Sequence, residues 1–191
     1  MKPRALLAAC AMLAAVGFAV LLRPYGQSTE KAGIGGPFTL VDGDGHTVTS
    51  ATYAGDWRLV YFGYTHCPDA CPATLGTLAA ALDKLPEADR AHTRVLFITV
   101  DPERDTPAVM GSYVKAFGPE FAGLTGSEAA LRPVLDNFRV YSKRTELKGG
   151  DYAMDHSSVV YVMGPDGHFV GLLDDSMTAA AMAEKLHAFG A

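Results

Sequence analysis

The chain has 191 residues, a formal charge of -5 and 19% charged side chains, so it is long enough for one domain with a core of its own. The acidic balance argues against a nucleic-acid binder, which carries a basic face. Apart from Ala-rich ends, no like-charge block, internal repeat or low-complexity tract points to an interaction tail or a repeat array.

Lys2 and Arg4 precede residues 5–22, a stretch of eighteen residues without a charge. That length fits a short transmembrane anchor and exceeds the apolar region of a cleaved signal. Positive charge ahead of the stretch favours a cytoplasmic N-terminus and export of the rest of the chain, although Arg23 on the far side weakens the bias. Two readings stand beside the anchor. One is a lipobox at Leu7-Ala-Ala-Cys10, disfavoured because most of the apolar sequence lies after Cys10. The other is cleavage after an Ala or Gly near the end of the stretch. The expected organisation is an N-terminal membrane anchor over 1–23, a linker over 24–36 and a single domain over 37–191.

Within the domain, residues 38–41 and 46–49 flank Asp42-Gly-Asp-Gly45 and predict a hairpin. Residues 59–64 are apolar and aromatic, as in a strand buried on both faces. After Pro72, apolar residues at Leu75, Leu78, Ala79, Leu82 and Leu85 recur at helical spacing, and Pro86 ends that helix. Residues 94–100 predict a second buried strand. Thr106-Pro107 opens a helix through Phe117, which Gly118-Pro119 stops. Ser127 caps a further helix to about Phe138. Residues 159–163 and 168–173, joined by Gly164-Pro-Asp-Gly167, predict a second hairpin, and residues 176–188 a terminal helix. The order implies a thioredoxin-like α/β fold: a mixed central sheet flanked by helices, with an extra N-terminal β-hairpin.

The chemistry concentrates in Tyr61-Phe-Gly-Tyr-Thr-His-Cys-Pro-Asp-Ala-Cys-Pro72. Cys67 falls in the loop after a buried strand and Cys71 at the start of the next helix. Strand ends of α/β sheets carry functional groups, and a helix N-terminus favours a thiolate. Three readings compete: a disulfide staple, a redox dithiol and a soft-metal site. A staple closing so small a loop removes little chain entropy. The usual redox dithiol of such folds has two residues between the cysteines; here three intervene. The wider loop lets both sulfurs face one ion without forbidding a disulfide. Thiolates select Cu(I), zinc or iron–sulfur clusters. Clusters and structural zinc want four protein ligands, whereas Cu(I) is satisfied by two or three.

Six histidines are candidates for a third ligand. His46, His92, His168 and His187 read as solvated surface groups. His66 abuts Cys67 and is awkward to aim at the same ion. His156 precedes a buried strand that should lie near residues 59–64. It is either a ligand or a structural histidine.

Three segments together resemble the Sco/SenC family: YFGYTHCPDACPATL (61–75), VDPERDTP (100–107) and DYAMDHSSVVYVMGPDGHFV (151–170). The similarity runs from about Phe38 to the C-terminus. Members of that family are membrane-anchored copper proteins needed for assembling the copper centres of cytochrome c oxidase. The resemblance implies copper ligands at Cys67, Cys71 and His156, serving Cu(I) or Cu(II). It implies a metallochaperone rather than an enzyme, supplied by an upstream copper donor and serving the copper-receiving subunit of cytochrome c oxidase. The location it implies is the inner membrane, single-pass, with the domain on the periplasmic side.

The alternative is a thiol–disulfide reductase working through Cys67 and Cys71, and a peroxidase fits least. Thioredoxin-like reductases place a cis-proline before the strand facing the dithiol. Asp155-His156-Ser157 occupies that slot here, and the nearest upstream proline is Pro133. Around the candidate site, Asp155 reads equally as an orienting partner for His156 or as a turn residue. Asp69 reads as a turn residue and Met154 as a core filler. Residues 101–105 read as a solvated loop.

Overall fold

The structure, a computed structural model, describes residues 33–191. The predicted anchor, Cys10 and most of the predicted linker lie outside the described residues. Among the described residues no helix is long and apolar enough to cross a membrane. The last predicted linker residues are docked: Ile34 packs on the core and Gly35 N–H donates to the Asn137 carbonyl.

The first hairpin is β1 (Thr39–Asp42) and β2 (Thr47–Thr49), followed by a 3-10 turn at Ser50–Tyr53. Then come β3 (Trp57–Gly63), α1 (Ala70–Leu82), the short α2 (Glu87–Ala91), β4 (Thr93–Thr99), α3 (Pro107–Val114), β5 (Phe121–Thr125) and α4 (Glu128–Phe138). The chain finishes with β6 (Ser142–Glu146), β7 (Tyr152–His156), β8 (Val160–Met163), β9 (Phe169–Leu173) and α5 (Ala179–Phe189). Among the described residues, seven strands form one mixed sheet in the order β2-β1-β5-β4-β3-β8-β9, and β6 pairs only with β7.

The central pair explains the architecture. β3 and β4 run parallel, with Tyr61 opposite Phe97 and Gly63 opposite Thr99. Leu59, Tyr61, Phe62, Leu96, Phe97 and Ile98 have essentially no exposed surface. Each fully buried side chain of this size contributes about 1.5–3 kcal/mol, so both faces need a helical layer. Phe97 stacks on Tyr61 and meets Tyr113 of α3 on one face. Phe62 meets Phe138 of α4 on the other. α5 packs against α1. The result is the thioredoxin-like α/β fold with its N-terminal hairpin.

The structure departs from the sequence reading in several places. β5 lies inside the sheet, between β1 and β4, where no strand is predicted. Its Phe121-Ala-Gly-Leu-Thr125 run is short and interrupted by glycine. A Cβ on Gly123 would lie 2.9 Å from the Met110 carbonyl oxygen, so the residue that hides the strand is the one that lets α3 pack on it. α3 ends at Val114, before the predicted Phe117, and α5 starts at Ala179 because Thr178, not Ser176, caps it through Ala181 N–H. Ser176 instead bonds the Asp174 side chain. The predicted solvated loop over 101–105 is a correction: Asp101 is 3% and Asp105 0% exposed, because both carboxylates accept hydrogen bonds from surrounding elements.

Candidate metal centre

Cys67 and Cys71 sit where β3 gives way to α1. Asp69 precedes the helix and makes no side-chain cap bond. Cys71 is the second residue of α1, so its N–H is one of the donors without an intrahelical partner. That donor is taken by the Cys67 sulfur at 3.4 Å. A spacing of four positions is what lets the first cysteine reach back over the first helical turn. Cys71 is buried, Cys67 half-buried, and both are free thiols.

Cys71 rests directly on β3. A Cβ on Gly63 would lie 2.7 Å from Cys71 Sγ and 2.7 Å from the Phe97 ring. The Tyr61 hydroxyl donates to Cys71 Sγ at 3.8 Å. Burial pushes the Cys71 thiol up to about 12. Burial raises Tyr61 as well, so its hydroxyl stays a donor.

His156 ends β7, the strand that belongs to the separate hairpin and not to the central sheet. Its Nδ1 lies 2.9 Å from the Ser157 carbonyl oxygen, an acceptor, so Nδ1 carries the hydrogen. Nε2 lies 3.5 Å from Cys71 Sγ. The ring is walled by Tyr61 and Tyr64, both edge-on, at centroid distances of 6.3 and 5.9 Å. The ligand atoms of Cys67, Cys71 and His156 lie within 4.8 Å of one another. Two sulfurs and one imidazole nitrogen make a donor set suited to copper. A cation between them would offset the burial that holds Cys71 protonated.

The other sequence candidates separate cleanly. His46, His92, His168 and His187 are not drawn into the cluster with the thiols. His66 is exposed, its Nδ1 against Thr65 Oγ1 at 3.2 Å. Asp155 is exposed and accepts from Thr145 Oγ1 at 2.7 Å. Successive strand residues face opposite sides, so Asp155 points away from the ring beside it, and the Ser157 carbonyl orients the imidazole. Met154 is half-buried and packs on the core. No cis peptide bond occurs among the described residues. Sequence reading missed the contributions of Tyr61, Gly63, Tyr64 and Ser157. All but Ser157 lie in the stretch that carries the cysteines, but nothing in a single sequence says which face of β3 meets them.

Fold and site together define a thioredoxin-like protein in which a histidine joins a dithiol. The SCO1/SenC family model matches residues 26–190, and the chain belongs to that family. It is 48% identical over 145 residues to "Protein SCO1 homolog 1, mitochondrial" of Arabidopsis thaliana, covering 76% of this chain. The chain spans 43% of that relative's length. Among solved structures, Arabidopsis thaliana ScoI with copper bound matches at a TM-score of 0.78 and 42% identity, covering 82% of this chain and 97% of that one. Bradyrhizobium japonicum ScoI with copper bound matches at 0.75 and 42%, covering 82% and 99%.

Proposed function

We propose that this chain is a copper metallochaperone. Cys67, Cys71 and His156 hold one copper ion as cargo and release it to a copper centre of cytochrome c oxidase during assembly. The observation that carries the reading is the convergence of two sulfurs and an imidazole nitrogen within 4.8 Å from separate elements. It is supported by relatives solved with copper bound at 42% identity. The dithiolate serves Cu(I), and the imidazole widens the site to Cu(II). The partners are then an upstream copper donor and the copper-receiving oxidase subunit. The apolar stretch over 5–22 supports a single inner-membrane anchor with the domain on the periplasmic side.

A second reading, thiol–disulfide reduction of the target's cysteines, is favoured by the closeness of the two sulfurs to each other and by the placement of Cys67 Sγ against the N-terminus of α1. One pair of cysteines cannot hold copper and form a disulfide at once, so the two roles would alternate. Titrating the reduced, anaerobic chain with Cu(I) against a competing chelator tests the proposal. One tightly held copper per chain is expected. Failure to compete for Cu(I) would leave the reductase reading in its place.

A further inference from the structure

Residues 100–107 supply no ligand, yet they touch both halves of the site. Val100 N–H donates to the Gly63 carbonyl at 2.8 Å, which lays the segment beside the root of the thiol loop. Asp105 grips that loop: it accepts from Thr65 Oγ1 at 2.6 Å and from Thr65 N–H at 3.2 Å, and Thr99 Oγ1 braces it at 2.6 Å. Thr65 is two residues from Cys67.

Arg104 faces the other way. Its guanidinium lies 3.6 Å over the Tyr152 ring and 5.6 Å from the Tyr64 ring. Its Nη1 donates to the Tyr152 carbonyl at 3.1 Å, and its Nε donates to Asp101, which also accepts from the Tyr152 hydroxyl at 2.8 Å. Arg144, on β6, lies 3.6 Å from the same Tyr152 ring and bonds Glu103 at 3.0 Å. Tyr152 and His156 are the two ends of β7. Tyr64 walls the imidazole. Among the described residues the β6–β7 hairpin has no ladder to the main sheet, and a two-stranded hairpin is marginal alone. Beyond the three-residue link from His156 to β8, its position depends on such side-chain contacts.

We propose that Arg104 is a positioning residue for the metal centre, fixing the distance between His156 on the hairpin and the dithiol on the main sheet. This rests on the copper reading above. Without the guanidinium stack the hairpin shifts and carries His156 away, while Asp105 still holds the thiol loop. The outcome is a split that general destabilisation does not give: imidazole ligation of Cu(II) fails and dithiolate binding of Cu(I) persists.

The test uses the full chain with Arg104→Lys, which keeps the charge and loses the planar stack, and Tyr152→Leu, which removes the stack from the other side. Tyr152→Phe, which keeps the ring, is the conservative control. Electron paramagnetic resonance of Cu(II)-loaded protein reads the imidazole nitrogen coupling, chelator competition reads Cu(I) affinity, and amide exchange of the metal-free chain reads residues 152–156. Expected for Arg104→Lys and Tyr152→Leu are lost or weakened nitrogen coupling, Cu(II) affinity down roughly 10–100-fold, unchanged Cu(I) affinity and faster exchange at 152–156. Tyr152→Phe should retain the coupling. Wild-type coupling and exchange in both test variants, or equal loss of Cu(I) and Cu(II), overturns the proposal. Absence of imidazole coupling in the wild type overturns the copper-site reading instead, and the exchange data still decide whether Arg104 holds the hairpin.

Discussion

The sulfur of Cys67 accepts the backbone N–H of Cys71 at 3.4 Å. One cysteine thus closes the first turn of the helix that carries the other. In the proposed site, replacing either cysteine removes a ligand. Cys67→Ser and Cys71→Ser should each lower Cu(I) affinity by more than the roughly 10–100-fold that losing an outer-sphere partner costs, as read by chelator competition. A Cys67→Ser chain that binds copper as tightly as wild type would sink the ligand assignment.

His156→Ala should separate the two oxidation states. The dithiolate still serves Cu(I), so Cu(I) affinity falls little, whereas Cu(II) loses its imidazole ligand. Parallel titrations with the two ions check this. An equal loss for both would contradict the claim that the imidazole serves Cu(II) in particular.

Gly63 leaves room for Cys71. The clash of an added Cβ with Cys71 Sγ and Phe97, both at 2.7 Å, involves two fully buried neighbours with little freedom to yield. Gly63→Ala should cost about 1–3 kcal/mol, the usual penalty of overpacking, and should weaken copper binding by displacing the thiol. Denaturant unfolding and the copper titration measure the two effects on one sample. A stable variant with unchanged affinity would contradict the packing.

Copper uptake should depend on pH. Burial pushes the Cys71 thiol up to about 12, so near neutrality binding must expel its proton. Apparent Cu(I) affinity should therefore rise as pH increases from neutrality, by at least the roughly tenfold per pH unit that the Cys71 proton alone gives. A flat profile would show that the thiol is already ionised.

Asp105 gives a stability prediction of opposite sense to most carboxylates. Burial raises its carboxyl above the ordinary value of 3.8, against the opposing hydrogen bonds of Thr65 and Thr99. The fold therefore binds this proton more tightly than the unfolded chain does. Its contribution is fully present below the ordinary value and is lost as pH rises through the raised one. Unfolding free energies of wild type and Asp105→Asn, compared over that window, should show wild type losing stability relative to the variant as pH increases. A constant difference would contradict the assignment.

The parts of this molecule that repeat a pattern were legible in the sequence. The runs at residues 59–64 and 94–100 announce β3 and β4, and Ser127 announces α4, because burial on both faces and capping leave local signatures. The three candidate ligand positions were legible only in combination. The cysteines declare themselves, but His156 gains meaning from its neighbours in the motif, since 85 positions separate it from Cys71. β5 was hidden by Gly123, and β6 by a Ser-Lys-Arg-Thr-Glu run with no apolar alternation, whose side chains are mostly exposed. The buried acids of residues 101–105 look solvated in the sequence because their partners, Thr65 and Tyr152, are distant along the chain.

The most direct test of the central claim is X-ray absorption at the copper edge on the Cu(II)-loaded full chain, wild type beside His156→Ala. Two sulfur ligands and an imidazole nitrogen are expected in the wild type, with the imidazole signal absent from the variant. A single sulfur, or an imidazole signal that survives the loss of His156, would contradict the three-ligand copper site.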